Sequence, residues 1–235
     1  MTAVKMNNSC EGWCNSVVAT FSGVVDFAGK AIISLGRDLA DVKIISIHLK
    51  AFDATLSLWN TFGGREITKT EENTRSTFKG LKGWNAIGTI TGEVQKLADK
   101  AELVVKQTTP RVVADFIATT TGVMGKAYEI TAFLGNDLAL SFFKKIAETY
   151  KTTNMQALVV GSSIRGFFCG EKVVAYLQGS GDWKSGSQDL CDLVANIGAL
   201  SLSISALGGF GSRYIVASSA VSAFSQSFKY FIGKL

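Results

Sequence analysis

The chain holds one histidine, His48, and four cysteines, Cys10, Cys14, Cys169 and Cys191. These side chains carry the protons and lone pairs that proteins tune near neutrality, so their number bounds the available chemistry. A single histidine removes most Ser-His-Asp, Cys-His and multi-histidine metal schemes. Cys10 and Cys14 are four residues apart, one helical turn, which suits a metal or a disulfide to a distant thiol. No second close pair completes a zinc set. The thiols therefore read as small buried or free side chains in a reducing compartment. His48, between Ile47 and Leu49, reads as a helix-surface or satisfied interior imidazole. A pH-sensing role is its sharper alternative.

Phosphate-loop signatures fail in detail. Gly23 and Gly29 are separated by five residues where a P-loop has four, and Ala31 stands where a hydroxyl should hold magnesium. Gly208, Gly209 and Gly211 follow a helix-like run rather than a strand, so they form no dinucleotide fingerprint. Asp38 and Asp41 read as a solvated helix start, and Glu71 and Glu72 as loop charge. No residue stands out as catalytic, cofactor-binding or metal-ligating. The expectation is a non-enzyme without a cofactor.

Composition points to an apolar surrounding. Hydrophobic residues make up 47% of the 235 residues and charged ones 18%, against about 25% charged in ordinary globular chains. The net charge is +5, but the lysines and arginines are scattered. That balance favours anionic surfaces over nucleic acid, which wants a denser patch. No secretory signal is legible at the start, where Lys5 is followed by Asn7, Asn8, Ser9 and Glu11. The last three residues, Gly233, Lys234 and Leu235, depart from the Ser-Lys-Leu peroxisomal address at the first position. The expected location is membrane-associated, in an unspecified compartment.

The strongest pattern is C-terminal. Leu193 to Ser212 is twenty residues without charge, and Tyr214 to Phe228 is fifteen more beyond Arg213. The glycines at 208, 209 and 211 break them into a helical hairpin. Spanning a bilayer takes about 20 residues, so a shallow or interfacial hairpin fits these lengths better than two full spans. Small residues at four-residue spacing permit close helix contact, as at Gly88 and Gly92, Gly166 and Gly170, Ala195 and Ala199, Ser218 and Ser222, and Ser219 and Ala223.

The elements that must carry this hairpin are helices. One proline, Pro110, occurs in the whole chain, and apolar residues recur at steps of three and four. A first helix runs through Val17, Phe21, Val24, Ala28, Ile32 and Leu35. A second carries Val42, Ile45, Leu49, Phe52, Leu56 and Trp59 on one face and a polar stripe of Lys43, Ser46, Lys50, Asp53 and Ser57. Its broad apolar girth predicts a central position. Residues 65–83 read as a polar linker. A third helix holds Trp84, Ile87, Val94, Leu97, Ala101 and Val104 inside. Thr109 and Pro110 cap and open the next, which Gly135, Asn136 and Asp137 end or kink. Shorter helices follow from Leu138 to Tyr150 and from Thr153 or Asn154 to Leu177. Residues 179–186 read as a loop.

The predicted fold is all-α, a bundle of seven to eight helices ending in the apolar hairpin. The segments are an N-terminal helical pair over 1–64, the linker over 65–83, and a bundle over 84–235 whose hairpin covers 189–232; one continuous domain is the alternative. Short matches between 17–40 and 112–139 suggest an internal duplication. The stretch Gln188 to Leu193, leading into an apolar hairpin, looks superficially like the C-terminal region of the peroxin-eleven family of membrane-elongating proteins. That likeness covers about a fifth of the chain, carries no specific motif and assigns no family.

Function follows as an expectation. The chain scaffolds, shapes or docks on a membrane through Leu193, Ile197, Leu200, Ile204, Leu207, Phe210, Tyr214, Ile215, Phe224, Phe228 and Phe231. Its partners are membrane lipids or another helical protein, with no nucleic acid, and a homo-oligomer is compatible. The alternatives are a soluble helical bundle acting as an interaction module, effector or assembly subunit, and a carrier of lipid or another apolar ligand.

Overall fold

The fold is seen in a computed structural model that describes residues 40–64 and 66–234. The predicted first helix, the Cys10 and Cys14 pair and the first half of the suggested duplication lie outside these residues. The described chain is all helical: α1 (Ala40–Gly63), α2 (Lys69–Lys106), α3 (Pro110–Ala132), α4 (Ser141–Leu177), α5 (Trp183–Leu207) and α6 (Ser212–Lys234), with a π-turn at Phe133–Asp137 between α3 and α4. The described part thus has six helices where the whole sequence suggested seven to eight.

Local chemistry explains most boundaries. Thr68 accepts from the Glu71 amide at 3.3 Å, and the Glu71 carboxylate accepts from the Thr68 amide at 2.8 Å, a complete capping box. The helix it starts absorbs the polar stretch read as a linker and continues unbroken to Lys106. Thr109 caps α3 with Pro110 in its first turn, as the sequence indicated. Asp182 accepts from the Ser185 amide at 2.9 Å, so residues read as loop already belong to α5. Gly209, at φ +66°, takes the left-handed turn of the hairpin. The break expected near Thr153 and Asn154 is absent. Asn154 is buried inside a continuous α4 instead.

Each helix packs against the helices before and after it, and α1 closes the row against α6. The result is a ring in which no described helix is central. This corrects the central place expected for α1, which touches only α2 and α6 and leaves Phe52 and Trp59 41% and 55% exposed. The contact surfaces are made of small side chains. Among the described residues, seven of the nine buried hydrophobic ones are alanines, the others being Leu56 and Phe133, and the buried polar set is mainly serine. Many large apolar side chains are left exposed, and others are half-buried along the contacts. An interior built from alanine and serine hides little apolar area, so removal from water drives this packing weakly.

Candidate functional site

The hairpin of α5 and α6 is held by a seam of small groups. A Cβ on Gly198 would stand 2.8 Å from the Ser222 amide nitrogen and 3.0 Å from the Ser218 carbonyl oxygen, so the two backbones meet there. Ser201 and Ser218 share a hydrogen bond of 2.8 Å across the seam. Ser203 and Ser225 donate back to the Ala199 and Val221 carbonyls, which satisfies their hydroxyls inside the helix. The ion pair of Lys229 with Asp192 closes the charged end. Beyond it α5 is free of charge as far as the Gly208–Gly209 turn, and α6 is free of charge back to Arg213 at the tip.

The predicted contact residues divide into two groups. Ile197, Ile204, Leu207, Phe210, Tyr214, Phe228 and Phe231 are exposed on the outer face. Leu193, Leu200, Ile215 and Phe224 are half-buried, and Phe224 packs on the cluster of Ala54, Ala220 and Ala223. At the tip, the Phe210 and Tyr214 rings meet edge-on at 6.0 Å, and the Arg213 guanidinium lies 6.0 Å from the Phe62 ring. Phe62 on α1 thus joins the tip. Sequence reasoning assigned α1 to the interior and missed it.

Outward-facing apolar positions recur every seven residues. They are Trp183, Leu190, Ile197 and Ile204 on α5, and Tyr214, Val221 and Phe228 on α6. The same spacing relates Val160, Phe167 and Val174 on α4, Ile117 and Met124 on α3, and Phe52 and Trp59 on α1. Seven residues are two turns with about 20° of drift, so each set forms a stripe along one helix edge. One described helix, Trp183–Leu207, is long and apolar enough to cross a membrane, and only 22% of its apolar stretch is buried. A core helix of the same composition would be mostly covered.

Charged and polar side chains line the inside of the ring together with small apolar ones. A cleft of about 320 Å³ opens among α1, α2, α5 and α6 and is lined by Lys50, Asp53, Arg75, Lys79 and Lys82, with Ser219, Ser222 and Gln226 opposite. Ala199, Ser222 and Gln226 also line a neighbouring space of about 740 Å³ that reaches Arg165, Asp192 and Asn196. Arg75 binds Asp53 and donates to Ser57 at 2.7 Å. Lys82 and Lys126 bind Glu129 at 3.1 and 3.6 Å. Lys50 keeps water-accessible surface although protein surrounds it, because it points into this space. Burial lowers its ammonium to about 8; Lys82 and Lys126 push the same way and Glu129 opposes. Burial pushes Glu129 up, but Lys82, Lys126 and Lys50 together outweigh it and hold the carboxyl below its ordinary value. The α1 polar stripe was legible in the sequence; that α2 and α3 turn matching charge toward it was not.

Cys169 and Cys191 are free thiols, and burial, with Asp192 nearby, raises both above the ordinary cysteine value. That disfavours the thiolate a nucleophile needs. His48 lies in α1. The chain matches no protein-family model, no curated protein and no solved structure.

Proposed function

We propose that the protein is a non-enzymatic, membrane-associated helical scaffold that docks on lipid through the outer face of α5 and α6 and the aromatic tip it shares with α1. The observation that carries this is the inverted arrangement of side chains. The most buried positions are mainly alanine and serine, while exposed large apolar residues recur at seven-residue intervals on five helices. Lipid-embedded helices use small residues to bring backbones together and leave bulky apolar groups to the acyl chains. Twenty-five large apolar side chains are exposed among the described residues, more than the scatter of a water-facing monomer. Their spread over all six helices favours a continuous apolar surrounding over one protein partner.

The docking is shallow. Leu193 to Leu207 is fifteen residues of helix, about 22 Å at 1.5 Å per residue, short of the roughly 30 Å hydrocarbon core. Arg213 at the tip and Lys229 at the opposite end snorkel toward polar headgroups or the ring interior.

Fractionation with carbonate and detergent washes tests this reading. The full-length chain stays with membranes through carbonate and is released by detergent, and the triple variant Ile197→Ser, Ile204→Ser, Phe228→Ser shifts to the supernatant while keeping its helix content. A full-length chain that is monodisperse in detergent-free buffer ends the proposal. The α5 stripe at heptad spacing favours a second reading, a seam for a partner helix. That reading gains if the same variant loses a protein complex but not its membrane association.

A further inference from the structure

The ring interior holds more positive charge than its carboxylates neutralise. Lys50 comes from α1, Arg75, Lys79 and Lys82 from α2, and Lys126 from α3 lies within electrostatic reach of Lys50. Asp53 is bound by Arg75, and Glu129 by Lys82 and Lys126. The faces that α5 and α6 turn to the cleft carry no charge; Ser219, Ser222 and Gln226 are their polar groups. Lys50 and Lys79 are left without a carboxylate partner among the described residues, in an open cleft that four helices line.

We propose that this cleft binds a phosphate group, with Lys50 and Lys79 as its cationic ligands and the Ser219 and Ser222 hydroxyls as further donors. A phosphate monoester brings a charge of about −1.5 to −2 and three strong acceptor oxygens, which matches two unpartnered ammonium groups flanked by hydroxyls. The volume of about 320 Å³ sits at the small end of ligand pockets, about 300–1,000 Å³, and suits a headgroup rather than a whole lipid. Nucleic acid would need an open groove with stacking rings, and no aromatic side chain lines the cleft.

The electrostatics of the cleft agree. Lys50 titrates near 8 because burial and the neighbouring lysines disfavour its charge. A bound anion reverses that balance, so binding takes up a proton on Lys50 and weakens as the pH rises through about 8. Glu129, held below its ordinary value, stays ionised throughout that range. The site does not depend on the membrane-docking reading, since its residues face the ring interior.

Calorimetric titration of the full-length chain in detergent tests the proposal with three probes: inorganic phosphate, dioctanoyl phosphatidate and dioctanoylglycerol. Binding of inorganic phosphate identifies a free ion or soluble phosphate as the source, and binding of phosphatidate alone identifies a lipid headgroup; either supports the site. The double variant Lys50→Gln, Lys79→Gln weakens that binding by about tenfold or more, the loss of charge-assisted hydrogen bonds. The variant Lys96→Gln, Lys106→Gln removes the same charge from the exposed face of α2 and leaves it unchanged. Should the first double variant unfold, Lys79→Gln alone, on an exposed side chain, and the pH dependence of the native chain serve instead. The proposal is overturned if neither phosphate probe binds, if dioctanoylglycerol binds as tightly as phosphatidate, or if both double variants lose affinity equally.

Discussion

Gly198 sets how closely α5 and α6 approach. Any Cβ at that position would press on the Ser222 amide and the Ser218 carbonyl, both backbone groups that cannot swing aside. Gly198→Val should therefore cost about 1–3 kcal/mol, the usual penalty for overpacking a tight contact, seen as a lower denaturation midpoint. An unchanged midpoint would mean that the two backbones are not held at this distance. Glu129 makes a second point. Its carboxyl titrates below its ordinary value in the folded state, so its stabilising contribution is full above the unfolded value of about 4.3. It is lost as the pH falls through the lower folded value. Unfolding followed from neutral pH to pH 3, a range of about four units around that value, should show an acid-dependent loss that Glu129→Gln reduces. The same slope in both proteins would remove Glu129 from the account.

The helices owe their starts to side chains a few residues long. The Thr68 and Glu71 capping box lets a polar, glycine-containing stretch begin a 38-residue helix. Thr68→Ala should cost about 1 kcal/mol and fray the first turns of α2, where Arg75 holds Asp53. Hydrogen exchange at residues 70–75 reads that fraying directly; exchange rates equal to the native protein would show that packing on α1 alone orders this end. The linker expected over 65–83 shrank to the few residues before Lys69, and the break at Thr153 and Asn154 is absent, for one reason. Polar residues near a helix start look alike whether they cap a helix or sit within one, and only a neighbour across the contact distinguishes them. Asn154 is buried in mid-helix, a placement that local propensity disfavours.

Taken whole, the molecule exposes many of its large apolar side chains and holds a cleft lined by charged residues. A ring of six helices with an alanine-rich interior gains little from leaving water by itself. Its stability should depend on what covers the outside. Bicelles or detergent micelles that bind only the folded state raise the unfolding midpoint in proportion to that binding. Equal midpoints with and without amphiphile, in a chain that remains monomeric, would mean that the outer stripes contribute nothing to the folded state's surroundings.

The sequence by itself determined that the described chain is helical, where Thr109 and Pro110 open a helix, and where the uncharged hairpin lies. These follow from local forces: apolar spacing, caps and the scarcity of proline act over a few residues. It also showed the polar stripe of α1. The tertiary structure decided which way each face looks. Seven-residue stripes can line a core or coat an exterior, and the sequence pattern is identical in the two cases. Only the closure of α1 on α6 put Phe62 at the hairpin tip and turned Lys50, Lys79 and Lys82 toward a common interior. Charges more than a hundred residues from the hairpin meet its serines there because electrostatic and packing partners are set by distance in space, which no local pattern records.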